Sequence, residues 1–384
     1  MLSQTAVIRI ARPPWSGEWL CPAIRRRRVP QVKPVPTGKS CPAKHPPAYR
    51  RRLTPCTLKE GTGLLRKVVA RSPAEVDSLR PTWEDLYRTC TKTLFQSFSW
   101  NRVAALLFAA REEPYVVLLE SDAGAALIPG AIADHGFTLL GEALFDYRDV
   151  LAAGDRSLLR QAWQEVAALK LPIFFAALRG EERCRAWEDF APHPFVSAPC
   201  VLTRDTSAEQ LAMAHTRIGS RWRKILRQGV EFRHEPNPST ELLQRIYQLK
   251  AAQLPANLFR DPSRINFLAA AARLGEAPCD VYTLTHGSTL VAALVTFRDG
   301  NIRRFYTTYY DHAWAHFSPG IVLLFEATRL SLEEGLNCDY MTGEQPHKVR
   351  LATASVPLFR VECSREVWAR VAGQEEQPVP ELAA

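Results

Sequence analysis

The sequence contains no apolar run approaching the ~20 residues that a membrane-spanning helix needs; its longest apolar stretches resemble Val103 to Ala110. No apolar leader opens the chain, so no secretory signal is expected. A Cys-x-x-Cys pair is also missing. The nine cysteines are scattered without regular spacing, which excludes a recognisable thiolate zinc motif and points to reduced thiols in a cytoplasmic setting. His312 and His316 have metal-ligand spacing, but no third ligand or HExxH pattern accompanies them, so no metal is expected. No Cys–His pair can be placed either, which disfavours a cysteine nucleophile.

Most of the chain also lacks an excess of either charge. The formal net charge is +9, yet residues 1–62 hold 13 Lys+Arg and only two acids, Glu18 and Glu60. That leaves 36 basic and 38 acidic residues over 63–384. The basic balance therefore describes the first segment and says little about what the rest binds. The first segment has recurring prolines, the basic runs Arg25 to Arg28 and Arg50 to Arg52, and no lasting apolar period. It is expected to be a disordered tail at 1–62, a targeting peptide, or sequence upstream of the true start. A short tail is expected again at 373–384.

What is present between these tails is an alternation of helical and strand patterns, which predicts a mixed α/β (α+β) architecture. Expected strands lie at 64–69, 115–119, 125–129, 137–140 and 172–178. Expected helices follow Ser72-Pro73, run over 99–108 and cover 155–169. A boundary near Ala198 to Asp205 divides the chain into units at 63–203 and 204–372. In the second unit, helices are expected over 208–228, 239–253 and 263–274. Three strands then follow at 280–285, 290–298 and 302–310, joined by His286-Gly287-Ser288 and Asp299-Gly300-Asn301. Asp-Gly between alternating strands is a hairpin signal, because the tight turn needs positive φ.

After the third strand the chain reads Phe317-Ser318-Pro319-Gly320, and a helix is expected over 321–334. Ser318 can cap it, Pro319 suits its first turn, and Gly335 suits its stop. Ile321 to Phe325 are apolar nearly all round, so the helix start is expected to be buried. Its free N–H groups then need a partner, and an anion serves. A strand at 337–341 completes a strand–turn–helix–strand unit. Ionisable groups flank this unit: Glu344 and Asp339 are base candidates, and His316 and Tyr310 are proton-transfer candidates. Phe317, Ser318, Pro319, Gly320 and Ile321 line the expected anion site. Arg217, Arg221, Arg223, Lys224 and Arg227 form the basic side of an amphipathic helix, either a solvated face or a surface for an anion.

The motifs Tyr309-Tyr310-Asp311, Phe317-Ser318-Pro319-Gly320, Glu334-Gly335, Asp339-Tyr340-Met341-Thr342-Gly343-Glu344 and Lys348 resemble the GNAT-superfamily acyltransferases of the cellulose-biosynthesis CelD-like group. These are similar to the FemAB-like aminoacyltransferases. Leu94-Phe95-Gln96-Ser97 with Trp100, Asp146-Tyr147 and Ser220 to Lys224 extend the resemblance over about 80–362. It implies tandem GNAT-like domains, each a mixed, largely antiparallel sheet flanked by helices. It also implies an acyltransferase using acetyl-CoA or another acyl-CoA as co-substrate, with Ser318 and Gly320 bordering the pyrophosphate and Lys348 nearby. The acceptor would be a small-molecule or saccharide amine, in polysaccharide or cell-envelope biosynthesis. The FemAB-like alternative takes its acyl group from aminoacyl-tRNA, and a non-enzymatic binding protein of the same fold is a third reading.

Overall fold

Gly287 and Gly300 adopt φ of +56° and +60°, with nothing near the place a Cβ would take. They turn the chain between β9 (Cys279–His286), β10 (Thr289–Asp299) and β11 (Ile302–Tyr310), the antiparallel meander that the sequence predicts. The computed structural model describes residues 65–90, 92–141, 144–179, 193–253 and 257–363. The tails expected at 1–62 and 373–384 lie outside the described residues.

Before the meander come β1 (Arg66–Ala70), α1 (Pro73–Ser78), α2 (Arg80–Thr89), α3 (Phe98–Leu107), β2 (Glu113–Ser121), β3 (Gly124–Ala133) and β4 (Gly136–Leu139). Next are β5 (Leu151–Gly154), α4 (Arg156–Ala167), β6 (Ile173–Arg179), β7 (His193–Val201), α5 (Ala208–Ala214) and α6 (Thr216–Leu226). The strand β8 (Glu231–Pro236) and the helices α7 (Thr240–Gln253) and α8 (Pro262–Ala271) complete the approach to it. After it follow α9 (Pro319–Glu333), β12 (Asn337–Asp339), α10 (Pro346–Leu351) and β13 (Ala354–Cys363).

Among the described residues the strands form one mixed sheet in the order β1-β2-β3-β4-β6-β13-β7-β12-β11-β10-β9-β8, with β5 joined to β3. Among the described strands only β4–β6 and β11–β12 pair in parallel. Helix α4 covers β2 and β3 on one face, burying Leu158, Leu159, Trp163 and Val166. Helices α5, α6 and α9 cover the opposite end, around Ile218, Ile225, Leu323 and Phe325. Between them lies a shared core of α2, α3, α7 and α8, where Trp83, Phe95, Trp100, Tyr247, Phe267 and Phe297 meet. Trp100 touches Phe297 and Phe267 edge-on, with ring centroids 5.1 and 5.5 Å away. Such pairs add ~1 kcal/mol each beyond area burial.

Several elements depart from the expected ones. The helix after Ser72 breaks at Leu79, because Pro81 opens a new first turn. The expected helix over 208–228 breaks at His215 into α5 and α6. The strands β7 and β13 were not expected, and they carry Pro194, Pro199 and Pro357, residues that read as breakers. They pair antiparallel with each other, the register slipping between Pro357 and Phe359. Through β13 the end of the described chain is threaded between β6 and β7. The edge strand β8 is largely exposed and has little apolar alternation to announce it.

Candidate active site

The strands β11 and β12 pair only at Ile302↔Asn337, Arg303↔Cys338 and Arg304↔Asp339. Beyond that point β12 ends, while β11 runs on to Tyr310 with β10 on its other side. The pairing of β10 with β11 shifts between Val295 and Thr296, where β11 carries Tyr306 as an extra residue in a β-bulge. The result is a wedge between Phe305–Tyr310 and the segment after Asp339.

Strand alternation decides which groups face this wedge. The Asp311 amide donates to the Val291 carbonyl of β10 at 2.8 Å, so the odd positions near the strand end turn toward β10. Thr308 and Tyr310 turn the other way. Their carbonyls accept from side chains of α7: Lys250 Nζ donates to Thr308 O at 2.8 Å and Gln253 Nε2 to Tyr310 O at 2.7 Å. The amides of Thr308 and Tyr310 point the same way, since both groups of a strand residue lie on one edge.

The base of the wedge is locked by charge. Arg304, 1% exposed, donates to Asp299 at 2.7 Å and to Asp339 at 2.5 Å. The Tyr147 hydroxyl donates to the Asp339 carboxylate, 2.7 and 2.9 Å from its two oxygens, and the Met341 amide adds 2.8 Å. Asp339 therefore has its acceptor positions engaged, which suits a framework carboxylate better than a free base. The 94–100 motif has a comparable supporting role. Gln96 Nε2 donates to the Tyr147 carbonyl at 2.7 Å, Trp83 Nε1 donates to the Gln96 carbonyl at 2.9 Å, and Asp299 accepts from the Leu94 amide at 3.0 Å.

The helix start at Ser318 differs from the expected cap. Ser318 is left-handed, with φ 56° and ψ 51°, and no side chain caps α9. A side chain in this conformation costs on the order of 1 kcal/mol. Its Oγ instead accepts from Arg221 Nη1 at 3.1 Å. Lys224 lies over the Phe317 ring, 5.5 Å from its centroid. The basic side of α6 is thus set against the uncapped helix start. Gly320 faces β11: a Cβ there would stand 3.3 Å from the Tyr310 ring and 3.8 Å from Thr308 Cγ2. Pro319 and Phe317 are buried, and Ile321 packs at the rim of the same apolar cluster.

On the far lip of the wedge, Lys348 Nζ donates to the Thr342 carbonyl at 3.0 Å, and Thr342 Oγ1 donates to the Asp146 carbonyl at 3.2 Å. Burial holds the Lys348 ammonium below its ordinary pKa, against the opposing pull of Asp146 and Asp339. Burial also lowers Lys250. His347 is lowered by desolvation and by the positive charges of Lys348 and Lys250. The Asp146 carboxyl is pushed up to about 6 by burial, with Asp339 adding to the rise, while Lys348, Thr342 and Arg148 oppose it.

The sequence-derived candidates divide accordingly. Tyr310, Gly320, Ser318 and Lys348 meet around the wedge. Asp339 is at its base, Glu344 is exposed on the outer lip, and His316 is exposed with its ring 4.0 Å from Phe317. Tyr309 belongs to the core. Lys250 and Gln253 were not anticipated. A signal existed: Lys250 continues the α7 stripe of Leu243, Ile246 and Tyr247, where an apolar residue would be ordinary. Among the described residues no group of three or more His, Cys, Asp or Glu could hold a metal.

The sequence over residues 213–349 matches the family described as Acetyltransferase (GNAT) domain. No curated protein matches the chain. Among solved structures, a C-terminal domain (DUF2156) named for lysylphosphatidylglycerol synthetase from Agrobacterium fabrum is similar at 10% identity and TM-score 0.50, covering 78% of this chain and 96% of that one. A conserved protein of unknown function from Bacteroides thetaiotaomicron is similar at 11% identity and TM-score 0.49, covering 77% and 99%. A tandem GNAT protein from the clavulanic acid biosynthesis pathway is similar at 11% identity and TM-score 0.46, covering 78% and 98%. Likeness at this identity is likeness of fold. The strand–helix–strand wedge lies inside residues 213–349, the segment that matches the GNAT acetyltransferase domain.

Proposed function

We propose that the chain transfers an acetyl or other acyl group from acyl-CoA to an amine, with the donor's phosphates at the start of α9 and its thioester in the wedge. The observation that carries this reading is the uncapped helix start, flanked by Arg221 and Lys224 and facing the open edge of β11. Free amides, the helix dipole and two cations all favour a pyrophosphate there. The Thr308 and Tyr310 amides would polarise the thioester carbonyl as negative charge develops on its oxygen.

In this scheme the amine nitrogen attacks the carbonyl carbon, the C–S bond breaks, and the thiolate takes up a proton. Tyr310, whose ring borders Gly320, is placed to supply that proton. Glu344, exposed on the outer lip, takes the amine's proton through water. Asp339 positions the base of the wedge through Arg304 and Tyr147 rather than exchanging protons itself. We read the segments 63–203 and 204–372 as tandem GNAT-like units, the first supporting the second. The setting would be cytoplasmic, in polysaccharide or cell-envelope biosynthesis. Among the described residues no helix is long and apolar enough to cross a membrane.

Calorimetric titration of the full chain with acetyl-CoA tests the donor. Saturable binding is expected, and no heat at millimolar ligand would sink the CoA reading. A second reading, transfer from aminoacyl-tRNA, is favoured by the breadth of the α6 basic face, since Arg217, Arg223 and Arg227 exceed what one pyrophosphate needs. A gel shift with charged tRNA, weakening steeply with salt, would support it.

A further inference from the structure

The open edge of β11 is unevenly satisfied, and side chains of α7 make the difference. The chain across from it, after Asp339, is bonded to β7: the Tyr340 amide donates to the Pro199 carbonyl and the Gly343 amide to the Ser197 carbonyl, both at 3.0 Å. Among the described residues no backbone partner therefore reaches Thr308 or Tyr310 from that side. Their two carbonyls are engaged all the same, by Lys250 Nζ at 2.8 Å and Gln253 Nε2 at 2.7 Å. Their two amides donate to nothing among the described residues. The fit is one of spacing. Carbonyls at i and i+2 of a strand stand roughly 7 Å apart along it, and Lys250 and Gln253 lie at i and i+3 on one stripe of α7. That stripe is anchored by the buried Leu243, Ile246 and Tyr247, and Asn257 Nδ2 donates to the Lys250 carbonyl at 2.8 Å. Two side-chain donors thus stand where the N–H groups of a neighbouring strand would.

A strand edge ordinarily offers a guest both donors and acceptors. This one offers its donors only. We infer that Lys250 and Gln253 are specificity-determining residues, which make the wedge hold an acyl carrier through the carbonyl oxygen of its acyl group and so tell the loaded carrier from the spent one. The loaded carrier brings a thioester oxygen to the Thr308 or Tyr310 amide. The spent carrier has lost that oxygen. A pantetheine amide that slid into its place would bring an N–H as well, and that N–H finds both edge carbonyls occupied. The spent carrier therefore pairs by half and leaves. The same caps bar a peptide strand from adding to the edge. This use of the caps rests on acyl transfer taking place in the wedge; the state of the edge does not.

Calorimetry on the full chain with acetyl-CoA and with CoA tests the inference. The native chain should bind acetyl-CoA about fivefold more tightly than CoA, the worth of one hydrogen bond. K250M and Q253M each free one carbonyl, and each should tighten CoA by about that factor while changing acetyl-CoA less. The preference then shrinks. K250R keeps a donor at the same place and should keep the native preference. Each substitution is read separately, so a poor fold in one leaves the other as the test. Equal weakening of both ligands in K250M and Q253M would mean that the two residues only hold β11 in place, and it overturns the inference, as does an unchanged preference. If neither ligand binds the native chain, the donor reading falls, and the comparison passes to charged against uncharged tRNA in a gel shift, where the spent end carries a ribose hydroxyl in place of the ester. A preference for the charged form that K250M and Q253M reduce keeps the caps without the CoA reading. The absence of that preference overturns both.

Discussion

Among the described residues two parallel strand pairs are crossed by a helix, β4 to β6 with α4 between them and β11 to β12 with α9, and they treat the helix start in opposite ways. At α4 the Asp155 side chain accepts from the Ser157 amide at 2.9 Å, so a carboxylate fills the N-terminus. At α9 no side chain does so, and Arg221 and Lys224 stand beside it. The gaps differ as well. Next to β4 and β6, Arg148 is buried and donates to Thr138 Oγ1 at 3.3 Å, while Phe137 packs on Trp163 and Phe175. Next to β11 and β12 the carbonyls of Thr308 and Tyr310 accept from the tips of Lys250 and Gln253. One crossover is closed by its own side chains. The other is left electropositive and open, and the closed one supplies Tyr147 to hold its base.

The comparison breaks most severely at Arg304. Truncating it in R304A leaves the buried Asp339 carboxylate without its cation and should cost about 3–5 kcal/mol, read by urea denaturation. A loss below about 1 kcal/mol would show that the base of the wedge is not held this way. Next in size is G320V, which puts methyls against Tyr310 where a Cβ already stands at 3.3 Å. It should weaken acetyl-CoA binding at least about tenfold by calorimetry while the fold survives.

The paired substitutions D155A and R221A sharpen the contrast. D155A removes a cap and should cost about 1 kcal/mol of stability without touching donor binding. R221A should weaken donor binding several-fold, more at low salt than at high, and leave stability nearly unchanged. If both substitutions affect binding alike, the two crossovers are not functionally distinct. The last prediction concerns pH. Because the Asp146 carboxyl is raised to about 6 in the fold, its favourable contribution is complete below the ordinary aspartate range and fades as pH rises through 6. D146N should therefore melt higher than the native chain at pH 8, with the difference vanishing near pH 4. A constant difference across that range would contradict the shift.

Much of the framework around the second crossover was legible in the sequence, because its signals are local. The Gly287 and Gly300 turns, the apolar alternation of β9 to β11, and the Ser-Pro-Gly start with Gly335 as its stop all declare themselves within a few residues. The open site was legible only in part. Tyr310, Ser318 and Gly320 sit beside the turn that marks them. Lys250 and Asp146 reach the wedge from distant segments, through contacts that no spacing records. Ser318 shows the limit of local reasoning: its type suited a cap, yet it is left-handed and its hydroxyl accepts from Arg221 instead. The prolines of β7 and β13 likewise argued for loops, and it is pairing between strands far apart in the chain that makes them sheet.

The most direct test of the contrast between the two crossovers is a crystal structure of the full chain with acetyl-CoA bound. The pyrophosphate is expected within about 3.5 Å of the Gly320 and Ile321 amides, with Arg221 turned to it and the α4 start empty. Phosphates seated at α4, or a pantetheine lying outside the split between β11 and β12, would contradict the assignment.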